Sequence, residues 1–302
     1  MIQKDARVES LFPKTPDQHK AGKPLVPNGI GVFYVLFTTV YLFFVYFLGI
    51  DKGTNGVSAS LTLAVCILFG GFMGLLDDWM DLKWRYKAFM PLIAALPLIY
   101  FAIDNPLTRT SISLPIVGLI QFGSVYYFIV IPLIVMIVTN TVNQLGGLNG
   151  LETLCPAIVL LGLISISSLS SQILLIGPYI LWLVLLALNV KGKIFVGNTG
   201  SFAIGMTIAS FAVISDLKLG LLISILPYVL NSTLILLSIL ILKKRASISF
   251  DGKKLVSDHK RSLVTLIAYR RPLTERKLVA LISLIFVVST VIAVIAAFAR
   301  LL

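Results

Sequence analysis

Three carboxylates and three cations meet at the end of an apolar stretch, in the segment GGFMGLLDDWMDLKWRYK at Gly70–Lys87. The acids are Asp77, Asp78 and Asp81, and three Lys or Arg residues follow, of which Lys87 is the last. In a helix Asp77 and Asp81 share a face because they are four residues apart. One interpretation is a solvated helix end whose acids pair with the neighbouring cations. The other is a site where carboxylates hold Mg²⁺ and the cations hold phosphate oxygens.

The composition indicates which elements position this cluster. The chain is 58% hydrophobic and only 13% charged, and its mean hydropathy is +0.98, so most of it cannot face water. We therefore predict an all-α, polytopic membrane protein. Cys66 and Cys155 both lie in apolar runs and predict neither a disulfide nor a metal site. The net charge of +12 is concentrated in loops, which argues against a nucleic-acid partner.

Nine apolar segments are long enough to be predicted as membrane-spanning helices. They are Ile30–Gly49, Val57–Leu76, Ala88–Ile103, Ser124–Thr141, Thr153–Leu169, Ile173–Asn189, Ser201–Ile214, Leu219–Leu242 and Leu278–Ala299. The uncharged run Thr110–Leu151 is too long for one helix, and its Ser111–Gln121 part predicts a short external hairpin or re-entrant piece. No internal repeat is evident, so residues 1–302 form one domain, with a basic arm at 1–29 and a basic loop at 243–277.

The basic residues predict the orientation in the membrane. The arm carries five of them, the acidic segment three, residues 190–199 two and the loop eleven, so 21 of the 25 Lys and Arg residues lie on one face. The positive-inside rule places that face in the cytosol of a multi-pass protein of the cell membrane. Nine crossings then leave the C-terminus outside. The polar turns fall on this face, whereas a transporter would place polar groups near the bilayer midplane.

Three cytosolic motifs in this order resemble those of the polyprenyl-phosphate N-acetylhexosamine-1-phosphate transferases. They are GLLDDWMDLKWRYK, NTVNQLGGLNGLE at Asn140–Glu152 and FVGNTGS at Phe195–Ser201. The NGLE ending and the WRxK pattern resemble the branch that uses dolichyl phosphate, including its archaeal members. The resemblance implies a Mg²⁺-dependent transfer of GlcNAc-1-phosphate from UDP-GlcNAc to polyprenyl (dolichyl) phosphate, with release of UMP. This is the first step of lipid-linked oligosaccharide synthesis for protein glycosylation. A homodimer is one of the assemblies compatible with the sequence.

The resemblance also assigns roles to the acidic segment. Asp77 and Asp78 match the family's paired aspartates, and Lys87 matches the lysine that contacts phosphate. A phosphate monoester is largely dianionic at neutral pH, so we expect Asp77 to orient the lipid phosphate rather than to deprotonate it. Asp81 is assigned with them to substrate binding.

The second and third motifs supply the remaining assignments. Asn143 and Asn198 match metal-binding positions and would hold Mg²⁺, or Mn²⁺ in its place, together with Asp78. Asn149 matches the nucleotide-sugar asparagine, and Glu152 is placed in the substrate site. Without the resemblance, Asn140–Glu152 would be an ordinary interhelical turn, and Glu152 a favourable partner of its helix dipole.

The chain departs from the family pattern in four places. Asn198 stands where an aspartate is usual, and Asn28 stands in the arm where a glutamate is common. The family's Arg-His-Arg contacts to uridine and diphosphate are represented loosely by His259, Lys260 and Arg261. The family's first helix, upstream of the arm, has no counterpart in the sequence. These departures bear on metal affinity and on recognition of the sugar and the diphosphate.

Two other functions are compatible with parts of this pattern. Intramembrane prenyltransferases of the UbiA type also bind Mg²⁺ and diphosphate on helices, but they need a second Asp-rich motif, and only Asp216 and Asp251 lie in the corresponding part of this chain. A transporter or flippase of lipid-linked sugar is the alternative outside enzymes. Release of UMP would separate the transferase from both.

Overall fold

The computed structural model of the protein describes residues 12–51, 57–106, 108–114 and 118–299. Helices dominate these residues. They are α1 (Gly31–Phe47), α2 (Ala59–Met80), α3 (Trp84–Ala94), α4 (Leu96–Asp104), α5 (Ile131–Gln144), α6 (Leu151–Ser165), α7 (Leu169–Asn189), α8 (Gly197–Ile214), α9 (Lys218–Ser224), α10 (Leu226–Leu240), α11 (Leu263–Ile267) and α12 (Glu275–Phe298), with a π-helical turn at Tyr126–Val130 before α5.

The nine predicted apolar segments each coincide with a helix or a helix pair. Among the described residues, six helical runs are long and apolar enough to cross a bilayer: α2, α3 with α4, the π-turn with α5, α7, α8 and α12. The pair α9 and α10, bent by 53°, makes a seventh if it forms one span. Helices α1 and α6 are apolar but have only 17 and 15 residues. The chain is therefore a multi-pass helical membrane protein, and nine crossings remain a prediction.

The breaks within two of these runs follow from proline. Pro97 lies in the first turn of α4 and Pro227 in the first turn of α10, directly after each break. Proline lacks the N–H that would continue the hydrogen-bond ladder and clashes with the preceding turn. Each run therefore restarts as a new helix at its proline.

In the part of the chain that the structure describes, three antiparallel hairpins lie outside the helices. The first pairs β1 (Lys14–Pro16) with β2 (Leu25–Pro27), within the predicted arm. The second pairs β3 (Ser111–Leu114) with β4 (Gly118–Gln121), which confirms the hairpin predicted at 111–121. The third pairs β5 (Ser249–Phe250) with β6 (Leu255–Val256), inside the basic loop.

Helix α8 forms the centre of the bundle. Every residue from Thr199 to Val213 is buried, and the helix packs against α1, α2 and α5. Large apolar side chains point outward instead on the peripheral helices, as at Phe47 and Leu240, whose exposed fractions are 76% and 69%. An outward apolar surface of this kind suits contact with lipid. The central helix therefore fixes where its N-terminal segment, the third sequence motif, meets the other motifs.

Candidate active site

One cavity of about 440 Å³ lies where the sequence motifs converge. The arm lines it through residues 15–19 and Asn28, and α2 contributes Asp78. The turn between α5 and α6 and the segment 195–201 at the start of α8 complete the wall, the first through Asn143 and Glu152 and the second through Asn198. Five of the predicted site residues therefore share one cavity, although they come from four separate parts of the chain.

Asp78 binds the N-terminus of the central helix. Its carboxylate accepts hydrogen bonds from the backbone N–H groups of Asn198 and Thr199, both at 2.9 Å, and from the Thr199 hydroxyl at 2.7 Å. The first N–H groups of a helix have no partner within it, and an anion is favourable there. A carboxylate has about four lone-pair sites, so three hydrogen bonds leave room for one further ligand. Asp78 thus fixes the third motif and still faces the cavity.

A glycine permits this contact between α2 and α8. Gly74 lies one helical turn before Asp78, and a Cβ atom at this position would come within 2.2 Å of the carbonyl oxygen of Asn198. The two backbones can approach only because the side chain is absent. One turn later, the Asp78 side chain spans the remaining gap to the end of α8.

Asp77 lies behind this wall and holds Lys87. Its Oδ1 lies 2.7 Å from Lys87 Nζ and also accepts the backbone N–H of Leu82 at 3.1 Å. Asp81 ends α2 with a left-handed backbone, φ 46°, and the chain then returns so that α3 carries Lys87 over Asp77. The helical face predicted for Asp77 and Asp81 is therefore not formed, because Asp81 lies just past the end of α2. Asp81 Oδ1 still approaches Lys87 Nζ, at 3.7 Å.

The two carboxylates differ in exposure. Asp77 is 3% exposed, and its Oδ2 has no hydrogen-bond partner among the described residues, whereas the Asp81 side chain is fully exposed. A buried carboxylate oxygen without a partner is costly unless a ligand satisfies it. Asp77 therefore keeps one buried carboxylate oxygen without a partner among the described residues.

Asn143 and Glu152 connect the second motif to the third. The Asn143 Oδ1 accepts the Ser201 hydroxyl at 2.5 Å, and the Glu152 carboxylate accepts the backbone N–H of Val196 at 3.2 Å. Glu152 therefore binds the backbone of another segment instead of acting only on its own helix dipole. Both side chains also line the cavity.

Asn149 does not line the cavity. Its Nδ2 donates to Asp17 Oδ2 at 2.8 Å and to Glu275 Oε1 at 3.1 Å, and its backbone N–H donates to the same Glu275 oxygen at 2.7 Å. It thereby joins the arm, the second motif and the start of α12. Burial alone would raise the pKa of Asp17, but hydrogen bonds from Asn149, Lys20 and the His19 N–H hold that pKa below its usual value. The contact of Asn149 with the nucleotide sugar stays a prediction, and the structure shows that this residue connects the three segments.

Glu275 is a residue that the sequence analysis missed. Asp17, His19 and Glu275 bring ligand-capable atoms within 4.8 Å of one another. The ammonium of Lys20 lies 3.1 Å from Asp17 Oδ2, and the Asn149 amide already donates to both acids. These donors satisfy the carboxylates without a metal. In sequence, Glu275 appears only as a good first-turn residue after the cap Thr274, which gives no indication of this contact.

The loop cations predicted to bind diphosphate separate in the structure. His259 Nε2 accepts the backbone N–H of Ser247 at 3.2 Å. Ser247 lines a smaller cavity of about 230 Å³, and His19 lines both this cavity and the main one. The Arg261 guanidinium donates to the Arg245 carbonyl at 3.1 Å. In the part of the chain that the structure describes, neither His259 nor Arg261 lines the main cavity.

Lys260 lies over the ring of Tyr269, away from the main cavity. Its Nζ is 4.6 Å from the centre of that ring. Lys260 and Arg271 both line a separate cavity beside α12. Lys260 would be drawn toward this ring because a cation is attracted to an aromatic face. The structure therefore does not support the predicted diphosphate contact of Lys260.

The donors in the main cavity fit a hard divalent cation. Asp78, Asn143 and Asn198 offer carboxylate and amide oxygens, the ligands that Mg²⁺ prefers, and no cysteine is among the residues that line the cavity. A nucleoside diphosphate would bring further oxygen ligands, because Mg²⁺ is usually bound by one or two carboxylates together with substrate phosphates. The residues present are thus suited to hold Mg²⁺ between the protein and an anionic substrate.

Comparison with known proteins places the chain in a wider context. Residues 60–216 match the family model described as glycosyl transferase family 4. A protein from Sulfolobus acidocaldarius, provisionally named UDP-N-acetylglucosamine–dolichyl-phosphate N-acetylglucosaminephosphotransferase, is 31% identical over 227 residues, which is 72% of this chain and 67% of the relative. The protein of that name from Saccharomyces cerevisiae is 26% identical over 268 residues, 73% of this chain and 59% of the relative.

A more distant branch also matches. The phospho-N-acetylmuramoyl-pentapeptide-transferase of Oceanobacillus iheyensis is 26% identical over 233 residues, which is 71% of this chain and 69% of the relative. Among the relatives named for dolichyl phosphate, four are matched over about half to two thirds of their own length. The matched family region contains α2, the turn between α5 and α6 and the start of α8, and so three of the four walls of the cavity.

Proposed function

Because this chain belongs to glycosyl transferase family 4, in the branch of the UDP-GlcNAc–dolichyl-phosphate GlcNAc-phosphotransferases, we propose that it transfers GlcNAc-1-phosphate from UDP-GlcNAc to dolichyl or another polyprenyl phosphate. This reaction is the first step of dolichol-linked oligosaccharide synthesis. The observation that carries the proposal is the convergence of the arm, α2, the α5–α6 turn and the start of α8 on one cavity lined with oxygen donors. The family assignment sets aside the prenyltransferase and transporter alternatives.

The reaction joins two anions. A phosphate oxygen of the lipid attacks the β-phosphorus of UDP-GlcNAc, the bond from that phosphorus to the bridging oxygen breaks, and UMP leaves with the electron pair. The products are UMP and lipid-pyrophosphoryl-GlcNAc. Phosphoryl transfer of this kind depends mostly on positioning and on neutralisation of charge.

The residues of the cavity and the Asp77–Lys87 ion pair behind its wall divide these tasks. Asp78, Asn143 and Asn198 would hold Mg²⁺, which neutralises diphosphate charge when it is bound. Lys87, fixed by Asp77, supplies a compact positive charge for a phosphate. Glu152 keeps the third motif in place through the Val196 N–H.

The lipid and the nucleotide would reach the site from different phases. The exposed Trp79, Trp84 and Phe89 lie close to Lys87 in sequence, on either side of the join of α2 and α3, and present aromatic surface suited to a membrane interface. The count of basic residues supports a site on the cytosolic face of the cell membrane, where UDP-GlcNAc is dissolved in water. A polyprenyl chain could then remain in lipid while its phosphate meets the nucleotide.

The test uses the full-length protein purified in detergent or in lipid nanodiscs. It is incubated with Mg²⁺, UDP-GlcNAc and dolichyl phosphate, and the nucleotide and lipid products are separated. We expect equal amounts of UMP and lipid-pyrophosphoryl-GlcNAc, and no reaction with EDTA present. Release of UDP would show transfer of the sugar without its phosphate, and absence of both products would refute the proposal.

Asn198 provides a test of the metal assignment. It brings no charge to the cavity, so we predict that Mg²⁺ binds weakly without nucleotide and more tightly with it, because the diphosphate supplies negative charge. Asn198→Asp would add a carboxylate beside Asp78, to which the Asn198 N–H already donates at 2.9 Å. We expect this variant to bind Mg²⁺ or Mn²⁺ roughly tenfold more tightly in the substrate-free protein.

The matched control is Gln172→Glu, which adds one negative charge in the first turn of α7, where the Gln172 side chain bonds the Ile164 carbonyl near the end of α6. Metal binding is titrated for the three proteins with and without UDP-GlcNAc. Identical metal curves for wild type and Asn198→Asp would remove Asn198 from the metal site. An equal tightening in Gln172→Glu would attribute the effect to overall charge.

A further inference from the structure

Asn189 is a buried polar residue that no sequence motif assigned. It is the last residue of α7, a largely apolar helix, and its exposed fraction is 0%. Burying an amide costs free energy unless its hydrogen bonds are made. An apolar residue could be buried at this position at a lower cost in free energy. The role of Asn189 must therefore lie in the hydrogen bonds that its amide makes.

The Asn189 amide joins two turns that border the cavity. Its Oδ1 accepts the backbone N–H of Gly150 at 2.8 Å and the Thr153 hydroxyl at 2.9 Å. Its Nδ2 donates to the carbonyl oxygen of Ile194 at 2.9 Å. The acceptor end therefore holds the last residue of the α5–α6 turn, and the donor end holds the segment that leads into α8.

The conformation of Gly150 makes this contact specific. Gly150 has φ +90°, a left-handed value that turns the chain into α6. Trp182, two turns earlier on the same face of α7, donates its indole N–H to the Thr153 carbonyl at 2.8 Å. The start of α6 is thus held against α7 at two points, by Trp182 and by Asn189. Of these two side chains, Asn189 is the one that also bonds the segment leading to the third motif.

Both turns carry residues of the proposed site. Glu152 lies two residues after Gly150 and accepts the N–H of Val196, which lies two residues after Ile194. Asn198 follows in the first turn of α8. The distance between the second and third motifs is therefore set on the side away from the cavity by Asn189 and on the cavity side by Glu152.

We propose that Asn189 is a positioning residue for the transfer reaction. It touches no substrate and acts by fixing the spacing between the α5–α6 turn and the segment before α8. The inference rests on the proposed function and adds a residue to it. Only a side chain with an acceptor and a donor at this length satisfies both turns: aspartate keeps the acceptor and loses the donor, and leucine loses both.

The test compares Asn189→Leu and Asn189→Asp with the control Thr207→Val. Thr207 is also fully buried, and its hydroxyl bonds the Tyr34 hydroxyl at 2.8 Å, between α8 and α1, away from the two turns. For each protein the folded fraction and thermal midpoint are measured in detergent. The value of kcat per folded molecule and the affinity for UDP in the presence of Mg²⁺ are then determined.

A positioning role predicts a loss of function that thermal stability does not explain. We expect kcat per folded molecule to fall about 100-fold in Asn189→Leu, since a misplacement near 1 Å can have this effect, and UDP to bind about tenfold more weakly. Asn189→Asp should show losses in the same direction. Thr207→Val should keep both values within about threefold of wild type at a similar or larger loss of thermal midpoint.

Two results would overturn the inference. The first is that kcat and the affinity for UDP are unchanged in the folded Asn189 variants. The second is that both values fall in proportion to the loss of thermal midpoint, to the same extent in the Asn189 variants and in Thr207→Val. If Asn189→Leu does not fold, Asn189→Asp decides by the same criteria. UDP affinity is measured without turnover, so wild-type protein that binds UDP but releases no UMP would refute the proposed function while the role of Asn189 is still decided.

Discussion

Asp77→Asn is expected to leave the protein folded and nearly inactive, with kcat about 100- to 1000-fold lower. The substitution preserves the shape of a side chain that is 3% exposed, so the packing of α2 is maintained. It removes the charge that holds Lys87 Nζ at 2.7 Å and replaces one carboxylate oxygen by an amide N–H. Both the orientation of the cation and the unpartnered Oδ2 acceptor are altered.

The neighbouring acids give a graded comparison. Asp78→Asn loses activity as well, but it also weakens the capping of α8, since an amide has one acceptor oxygen for three donors. We expect it to lower the thermal midpoint, because loss of a helix cap costs about 1 kcal/mol. Asp251→Asn, in the exposed turn between β5 and β6, is the control and should behave as wild type.

Initial rates of UMP release and thermal midpoints are measured for the three variants. Near-normal turnover in both Asp77→Asn and Asp78→Asn would show that the acidic segment is a solvated helix end, the other interpretation of its sequence. A thermal midpoint that falls as far in Asp77→Asn as in Asp78→Asn would show instead that Asp77 is mainly structural.

The architecture could be predicted because it depends on local properties of the sequence. Helices in a membrane are marked by apolar length, which is readable residue by residue, and all nine predicted segments coincide with helices or helix pairs. The hairpin at 111–121 could be predicted because the uncharged run that contains it is too long for one helix and because this part of the run is rich in β-branched residues. The order of the segments along the chain placed the three motifs on the same face of the membrane, and in the structure they converge on one cavity.

The particular partners within the site could not be predicted. The N-terminus of α8 is capped by Asp78, some 120 residues earlier in the chain. Asn149 bonds Glu275, 126 residues later. Such contacts depend on how distant helices pack, and one sequence carries no periodic signal for them.

The cations of the basic loop show the same limitation. His259, Lys260 and Arg261 are adjacent in sequence, yet Lys260 faces Tyr269 and a cavity beside α12, while Arg261 bonds a carbonyl of the loop itself. The sequence indicated a cluster of positive charge. In the irregular turn between β6 and α11, neighbouring side chains point in different directions, so spacing alone does not place three charges at one site.

Lys87 offers the second large effect. Lys87→Met keeps most of the apolar stem but leaves the Asp77 carboxylate buried without its cation. Removing one partner of a buried ion pair costs about 3–5 kcal/mol, and because the Lys87 side chain is 26% exposed we expect the lower end of that range. The variant should therefore unfold at a lower temperature, and its activity should be lost because no cation remains to hold the phosphate.

The double variant Asp77→Asn/Lys87→Met separates these two consequences. Neutralising both partners removes the unpaired charge, so we expect the thermal midpoint to return most of the way to that of wild type. Activity should stay as low as in Lys87→Met, because phosphate binding requires the cation itself. Thermal midpoints and UMP release are measured for wild type, both single variants and the double variant. If activity returned together with stability in the double variant, Lys87 would be a structural partner of Asp77 and would not contact substrate.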